Sequence, residues 1–147
     1  MRIAVVVSRF NDFVTERLLT GAREALSEAG LADADIDVLR VPGAFAIPLA
    51  AEHAAAGGRV RGVVCLGCLI KGATPHFEYI ASACAHGIMA AQSKTGVPMA
   101  FGVLTTLSAE EALERAVAGP GNKGREAAEA VLEMARLLGT GGAEASR

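Results

Sequence analysis

The segment best suited to chemistry runs from Lys71 to His76 and has the sequence Lys-Gly-Ala-Thr-Pro-His. A glycine-containing loop that leads into a helix presents backbone N–H groups and the positive end of the helix dipole, which suits a phosphate group. Thr74 adds a hydroxyl group and Lys71 a cation. His76 would stand beside a bound anion with an imidazole that can transfer a proton near neutral pH. The alternative is an ordinary loop in which Thr74 caps the helix and His76 is solvated.

Two phenylalanines lie at the ends of predicted strands, where flat substrates can stack. Phe10 lies in the polar turn Arg-Phe-Asn-Asp, so it is placed to stack on a planar ring with Asn11 hydrogen-bonding beside it. The alternative for Phe10 is a hydrophobic staple for the next helix. Phe45 follows a Pro-Gly-Ala turn, and its alternative is packing on the inner face of a helix.

Three further groups are weaker candidates. Cys65 and Cys68 are three residues apart in or beside a strand, where side chains of odd spacing point to opposite faces, and no second Cys pair exists, so neither a metal nor a redox site is expected. Arg115 follows three glutamates in a predicted helix, a pattern typical of a solvated salt-bridge face. Lys123, in Gly-Asn-Lys-Gly, can cap a helix end or reach an anion.

The elements that must position these residues alternate between strands and helices. Strands are predicted at 2–7, 36–41, 61–66 and 97–104, and helices at 12–29, 44–56, from Thr74–Pro75 onward, 108–117 and 125–138. Thr74 is predicted as the N-cap of the third helix with Pro75 at its first position, and Gly30 as the C′ residue of the first. This order predicts an open parallel sheet between two helix layers, with ligands bound beyond the carboxyl ends of the strands.

Composition limits the class of protein. The chain has 147 residues, which predicts one domain over 1–147 with a frayed tail at 139–147, and its net charge of −2 argues against a nucleic-acid-binding surface. Its apolar runs are too short to span a membrane, and three cysteines without a signal peptide favour the cytoplasm. With five Phe, one Tyr and no Trp, the core must consist of aliphatic side chains.

Taken together, these segments resemble the lumazine synthase family over about 115 residues. Six motifs carry the resemblance in order: Arg9–Asp12, Val41–Phe45, Gly72–His76, Phe101–Thr106, Glu114–Arg115 and Gly121–Gly124. The resemblance implies a flavodoxin-like three-layer α/β/α sandwich with a four-stranded parallel sheet. It also implies condensation of 5-amino-6-(D-ribitylamino)uracil with 3,4-dihydroxy-2-butanone 4-phosphate to 6,7-dimethyl-8-ribityllumazine, releasing phosphate and water. Both substrates bring their own reactive groups, so no metal or organic cofactor is expected.

The resemblance also assigns residues to the two ends of the substrate site. Phe10 becomes the platform for the pyrimidine ring and Phe101 the second wall of the ring pocket. The ring and the ribityl chain would be lined by Asn11, Ala44, Phe45, Ala46, Cys68, Leu69 and Ile70. The phosphate would be held by Ala73, Thr74, Arg115 and Lys123, and His76 would transfer the proton.

Two departures from the family pattern concern binding and assembly. Ala46 stands where the family usually has a glutamate that is expected to bind the ribityl hydroxyls, and the first predicted strand begins at Arg2, without the family's N-terminal arm. The family forms pentamers with active sites shared between subunits, and some members form shells of sixty subunits. The shell-forming members have a short link between the last two helices, and Ala116–Gly121 has no insertion there, which favours a shell. The alternatives are an archaeal-type riboflavin synthase, which would not need a phosphate site, and a non-catalytic shell-forming or flavin-binding paralogue.

Overall fold

Four parallel strands form the centre of the fold in a computed structural model, which describes residues 1–139. The strands are β1 (Ile3–Ser8), β2 (Ile36–Val41), β3 (Gly62–Ile70) and β4 (Met99–Thr106), in the spatial order β2-β1-β3-β4. The helices are α1 (Asp12–Glu28), α2 (Ile47–Ala56), α3 (His76–Thr95), α4 (Ala109–Glu114) and α5 (Lys123–Gly139). Short 3₁₀ turns precede β2 and α2.

The two central strands, β1 and β3, are buried on both faces. Alternate side chains of β1 point to opposite sides, so that Val5 packs with α1 and α5 while Val6 packs with α2 and α3. Strands that are covered on both sides consist of continuous apolar runs, as β1 does from Ile3 to Val7. This confirms the predicted flavodoxin-like α/β/α sandwich with its four-stranded parallel sheet.

The helix boundaries follow local capping chemistry. The C′ glycine of α1 is confirmed, because Gly30 has a φ of 101°, a left-handed conformation that costs glycine little. Ser108 caps α4 by accepting a hydrogen bond from the Glu111 N–H at 3.1 Å. The carboxylate of Glu111 pairs with Arg115 and does not bond back to the N–H of Ser108, so no capping box forms. The predicted helix 108–117 is therefore shorter, since α4 ends at Glu114.

The predicted end of the third strand at residue 66 is wrong. β3 continues to Ile70 because β4 pairs with it along its whole length, from Val63–Met99 to Ile70–Thr106. Gly67 is not part of a turn, because it pairs with Val103 of β4 within the sheet, and a Cβ there would press against the side chains of Ile47 and Val103. The predicted binding segment Cys68–Ile70 thus belongs to a strand and not to a loop.

The predicted start of the third helix is also wrong. The Pro75 carbonyl accepts from the N–H groups of Glu78 and Tyr79, so Pro75 is the N-cap and His76 the first helical residue of α3. No side chain caps this end, and Thr74 does not act as the predicted N-cap. The segment predicted as a helix over 44–56 begins with a 3₁₀ turn, Ala44–Ala46. Of the predicted frayed tail, Gly139 ends α5 and the remainder lies outside the described residues.

Close contact between α1 and α5 gives a test of this packing. A Cβ at Gly124 would overlap the main-chain carbonyl of Leu18 on α1, which cannot move without shifting the helix. We expect Gly124→Ala to lower the free energy of unfolding by about 1–3 kcal/mol. The matched control is Gly121→Ala, where nothing lies within 4 Å of the added Cβ. Thermal unfolding at one fixed protein concentration measures both variants. An equal effect of the two substitutions would contradict the packing.

Candidate functional site

A cavity of about 430 Å³ lies beyond the carboxyl ends of β1, β2 and β3. We call it the strand-end cavity. It is lined by Phe10, Pro42, Gly43, Ala44, Phe45, Leu69, Ile70, Gly72, Thr74, His76, Phe77 and Ile80. Seven of the residues assigned from the sequence therefore meet in one place, at the position where open parallel sheets bind ligands.

The lining of the strand-end cavity also includes Phe77 and Ile80, which were not predicted from the sequence as site residues. Ile80 lies four residues after His76 on α3 and three after Phe77, so helical spacing makes it a neighbour of both side chains. Pro42, Gly43 and Gly72 also line the cavity without having been assigned. The small residues leave room for a ligand to approach the main chain.

Two aromatic side chains at the strand-end cavity, Phe10 and Phe45, are unusually accessible, whereas Phe77 is half-buried and packs against the core. Phe10 is 61% exposed and Phe45 71% exposed, whereas the cores on both faces of the sheet are filled by aliphatic side chains. The alternative of Phe45 packing on an inner helix face does not apply in this chain. An exposed aromatic face can stack on a planar heterocycle, which removes apolar area of both from water.

Asn11 holds the loop that carries Phe10. Its backbone is left-handed, with φ 61° and ψ 45°, a conformation that asparagine tolerates better than most residues. Its side-chain Nδ2 donates a 2.8 Å hydrogen bond to the carbonyl of Cys68 in β3. Asn11 therefore connects the end of β1 to β3 and sets the position of its neighbour Phe10.

The three cysteines are free and buried. Burial raises the pKa of the Cys68 thiol from 9.0 to about 11, and that of Cys84 likewise to about 11. Burial, with a smaller contribution from Cys84, also raises the pKa of Cys65. Cys68 is thus not a nucleophile at neutral pH, and its contribution near the cavity is its main-chain carbonyl.

The loop from Lys71 to His76 is exposed at the mouth of the strand-end cavity. Glu78 and Tyr79 already donate their N–H groups to the helix, to the carbonyl of Pro75. The N–H groups that precede them at the start of a helix have no intrahelical acceptor and can bind an anion. Gly72, Thr74 and His76 surround this end of α3.

A second cavity, of about 570 Å³, lies along β4 at the edge of the sheet. We call it the edge cavity. It is lined by Ala100–Thr105, Arg115, Lys123, Glu126, Ala127 and Ala130. The side chain of Arg115 pairs with Glu111 at 2.7 Å and that of Lys123 with Glu126 at 3.2 Å. Both cations are partly exposed, so a multiply charged anion can compete for them.

One chain does not bring all the assigned residues together. Phe101, Arg115 and Lys123 line the edge cavity, whereas Thr74 and His76 line the strand-end cavity. The remaining assigned residues line neither cavity: Asn11, Ala46, Cys68 and Ala73. The residues assigned to the phosphate are thus divided between two surfaces of the same chain.

Neither a metal centre nor a membrane span is found within residues 1–139. No group of three or more His, Cys, Asp or Glu side chains in this part of the chain is arranged to hold a metal ion. No helix there combines the length and the apolar character that crossing a bilayer requires.

Comparisons with known proteins agree on one family. A family model described as 6,7-dimethyl-8-ribityllumazine synthase matches residues 1–139. A curated 6,7-dimethyl-8-ribityllumazine synthase from Syntrophus aciditrophicus (strain SB) is 52% identical over 138 residues, covering 94% of this chain and 90% of that protein.

Burial of the cysteines predicts slow thiol labelling. At pH 8 the rise of the Cys68 pKa from 9.0 to about 11 lowers the thiolate fraction about 100-fold relative to a free thiol. We expect the folded protein to react with a thiol reagent at least that much more slowly than the unfolded chain, and the rate to rise with pH. Labelling in denaturant, where all three thiols react, is the control. Rapid labelling of Cys68 in the folded protein would contradict its placement.

Proposed function

The chain belongs to the 6,7-dimethyl-8-ribityllumazine synthase family, and from that premise we propose how its own residues carry out the family's step in riboflavin biosynthesis. The enzyme condenses 5-amino-6-(D-ribitylamino)uracil with 3,4-dihydroxy-2-butanone 4-phosphate and releases phosphate and water. Making the lumazine requires an imine between an aromatic amine and a ketone, loss of phosphate, and ring closure. For these steps, the enzyme gains more rate by holding the two substrates together in the correct geometry than by supplying a strong catalytic group.

The pyrimidine binds in the strand-end cavity. Phe10 stacks on the ring, and the main chain and side chains of Ala44 and Phe45 form the adjacent wall, with Leu69 and Ile70 beneath. Asn11 acts on this site by holding the Phe10 loop against Cys68. Ala46, half-buried in the 3₁₀ turn after β2, has no side-chain polar group for the ribityl hydroxyls. Main-chain groups of the turn therefore take the ribityl contact.

The phosphate binds where the strand-end cavity of one subunit meets the edge cavity of the neighbouring subunit. Ala73 and Thr74 offer main-chain and hydroxyl donors at the start of α3, and Arg115 and Lys123 supply the cations. The observation that carries this proposal is the division of these groups between two surfaces of one chain. If the edge cavity of one subunit faces the strand-end cavity of the next, then Phe101 becomes the second wall of the ring pocket and the cations meet the phosphate.

His76 transfers the proton. It lines the strand-end cavity at the first position of α3, beside the anion site, where its imidazole can take a proton from the amine and deliver one during phosphate loss. Proximity of the two substrates is worth about 7–11 kcal/mol, so His76 supplies the smaller share of the rate. We propose no metal or organic cofactor, because the substrates carry the reactive groups.

A homo-oligomer follows from a shared site. We propose a pentamer, and favour its further assembly into a shell of sixty subunits because only eight residues, 115–122, connect α4 to α5. Large apolar side chains exposed on and before α2 and α3 supply contact area between subunits: Phe45, Leu49, Tyr79 and Met89. Light scattering after size-exclusion chromatography distinguishes the pentamer from the shell.

The chain is further proposed to be one cytoplasmic domain. The described residues form one sheet with a core on each face. Three free, buried cysteines are typical of a reducing compartment.

Replacement of His76 tests its role in the reaction. We expect His76→Ala to lower kcat by about 10²- to 10⁴-fold while leaving measurable turnover, since the bound substrates still react by proximity. The assay follows lumazine fluorescence and released phosphate with both substrates present. The control is His53→Ala, at an exposed position of α2 that lines no part of the strand-end cavity. Complete loss of activity in a folded, assembled His76 variant would contradict this role, as would unchanged turnover.

A further inference from the structure

Asn122, between α4 and α5, is a polar side chain in a buried position. It is 1% exposed and lines neither the strand-end cavity nor the edge cavity. A buried amide must have its donors and its acceptor satisfied, or it destabilises the fold. The partners that satisfy it therefore show what this residue does.

The Asn122 side chain connects α1, the segment that follows α4, and the start of α5. Its Nδ2 donates to the Arg17 carbonyl on α1 at 3.2 Å and to the Ala116 carbonyl just after α4 at 3.0 Å. Its Oδ1 accepts from the N–H of Arg125 in the first turn of α5 at 3.0 Å, as an N-cap does. These bonds also determine the orientation of the amide, because carbonyls need the NH₂ group and the N–H needs the oxygen.

These contacts hold both cations of the edge cavity. Ala116 follows Arg115 directly, and Lys123 follows Asn122 directly. The N–H of Lys123 also donates to the Arg115 carbonyl at 2.9 Å, so the main chains of the two cations are bonded to each other. Asn122 fixes this pair of main-chain segments to α1.

The opposing surface of α1 is shaped to receive this amide. A Cβ at Gly21 would overlap the side chain of Asn122, so only glycine leaves the space that the amide occupies. The position of the hydrogen bonds between Asn122 and α1 therefore depends on Gly21 and Asn122, and neither residue lines the strand-end cavity or the edge cavity.

From these contacts we propose that Asn122 is a positioning residue for Arg115 and Lys123, which sets the distance between their side chains and so the affinity for phosphate. The proposal rests on the proposed function of this pair. Asn122 acts through them, because it lines neither the strand-end cavity nor the edge cavity. Two cations bind one phosphate strongly only when both reach it in the correct geometry, and displacement by about 1 Å can cost up to about 100-fold.

Two variants test the proposal through separate residues. We expect Asn122→Ala and Gly21→Ala each to raise the KM for the butanone phosphate, and the inhibition constant of inorganic phosphate, about tenfold. We expect kcat and the KM for the pyrimidine to change less than about threefold. If Asn122→Ala does not yield folded protein, Asn122→Asp replaces it, because it keeps the acceptor for Arg125 and loses the donors to Arg17 and Ala116.

The control separates positioning from general stability. Val131→Ala removes a fully buried side chain from the third turn of α5, beyond the turn that Asn122 caps, and should lower the Tm without changing the inhibition constant of phosphate. If the Asn122 and Gly21 variants change only the Tm, or if Val131→Ala changes phosphate inhibition equally, the positioning role is overturned. Arg115→Ala, measured in parallel, separates the proposed phosphate site from the proposed role of Asn122. If this variant also leaves phosphate inhibition unchanged, the proposed phosphate site is wrong, and the role of Asn122 is overturned with it.

Discussion

Burial of β1 and β3 on both faces is the constraint from which the rest of the structure follows. A strand with helices above and below has no polar face, so its residues must be aliphatic and small enough for two layers to pack. Because the strands are parallel, their carboxyl ends all lie at the same end of the sheet. Every loop that leaves β1, β2 and β3 there meets at the strand-end cavity, which makes the position of the site a consequence of the core.

The same constraint explains where the aromatic residues are. Aliphatic side chains fill both cores, and among the described residues no phenylalanine or tyrosine is fully buried. Phe10 and Phe45 stand at the strand-end cavity and Phe101 at the edge cavity. Rings that add nothing to the core of one chain remain available for a flat substrate and for a neighbouring subunit.

Local patterns in the sequence predicted the fold and much of the site, but not the features that depend on contacts across the chain. The alternation of apolar runs and helical periodicity gave the correct order of elements, and Gly30 marked a true helix end. Gly67 was misleading because its lack of a side chain serves packing against Ile47 and Val103, which no local pattern reveals. The hydrogen bond from Asn122 to the carbonyl of Arg17, 105 residues away, could not be predicted from local patterns either. The resemblance to the family predicted roles for residues whose spacing alone left several alternatives open.

The central claim is that one subunit's strand-end cavity and its neighbour's edge cavity form one active site. It is tested most directly by unfolding His76→Ala and Arg115→Ala proteins together and refolding the mixture into mixed oligomers. A site shared between subunits regains an intact His76 and an intact Arg115 at about one quarter of the interfaces, so activity should rise well above the mean of the two pure variants. If the site lies within one chain, no interface restores it. Activity that stays at the mean of the two variants, in oligomers shown to be mixed, would contradict the account.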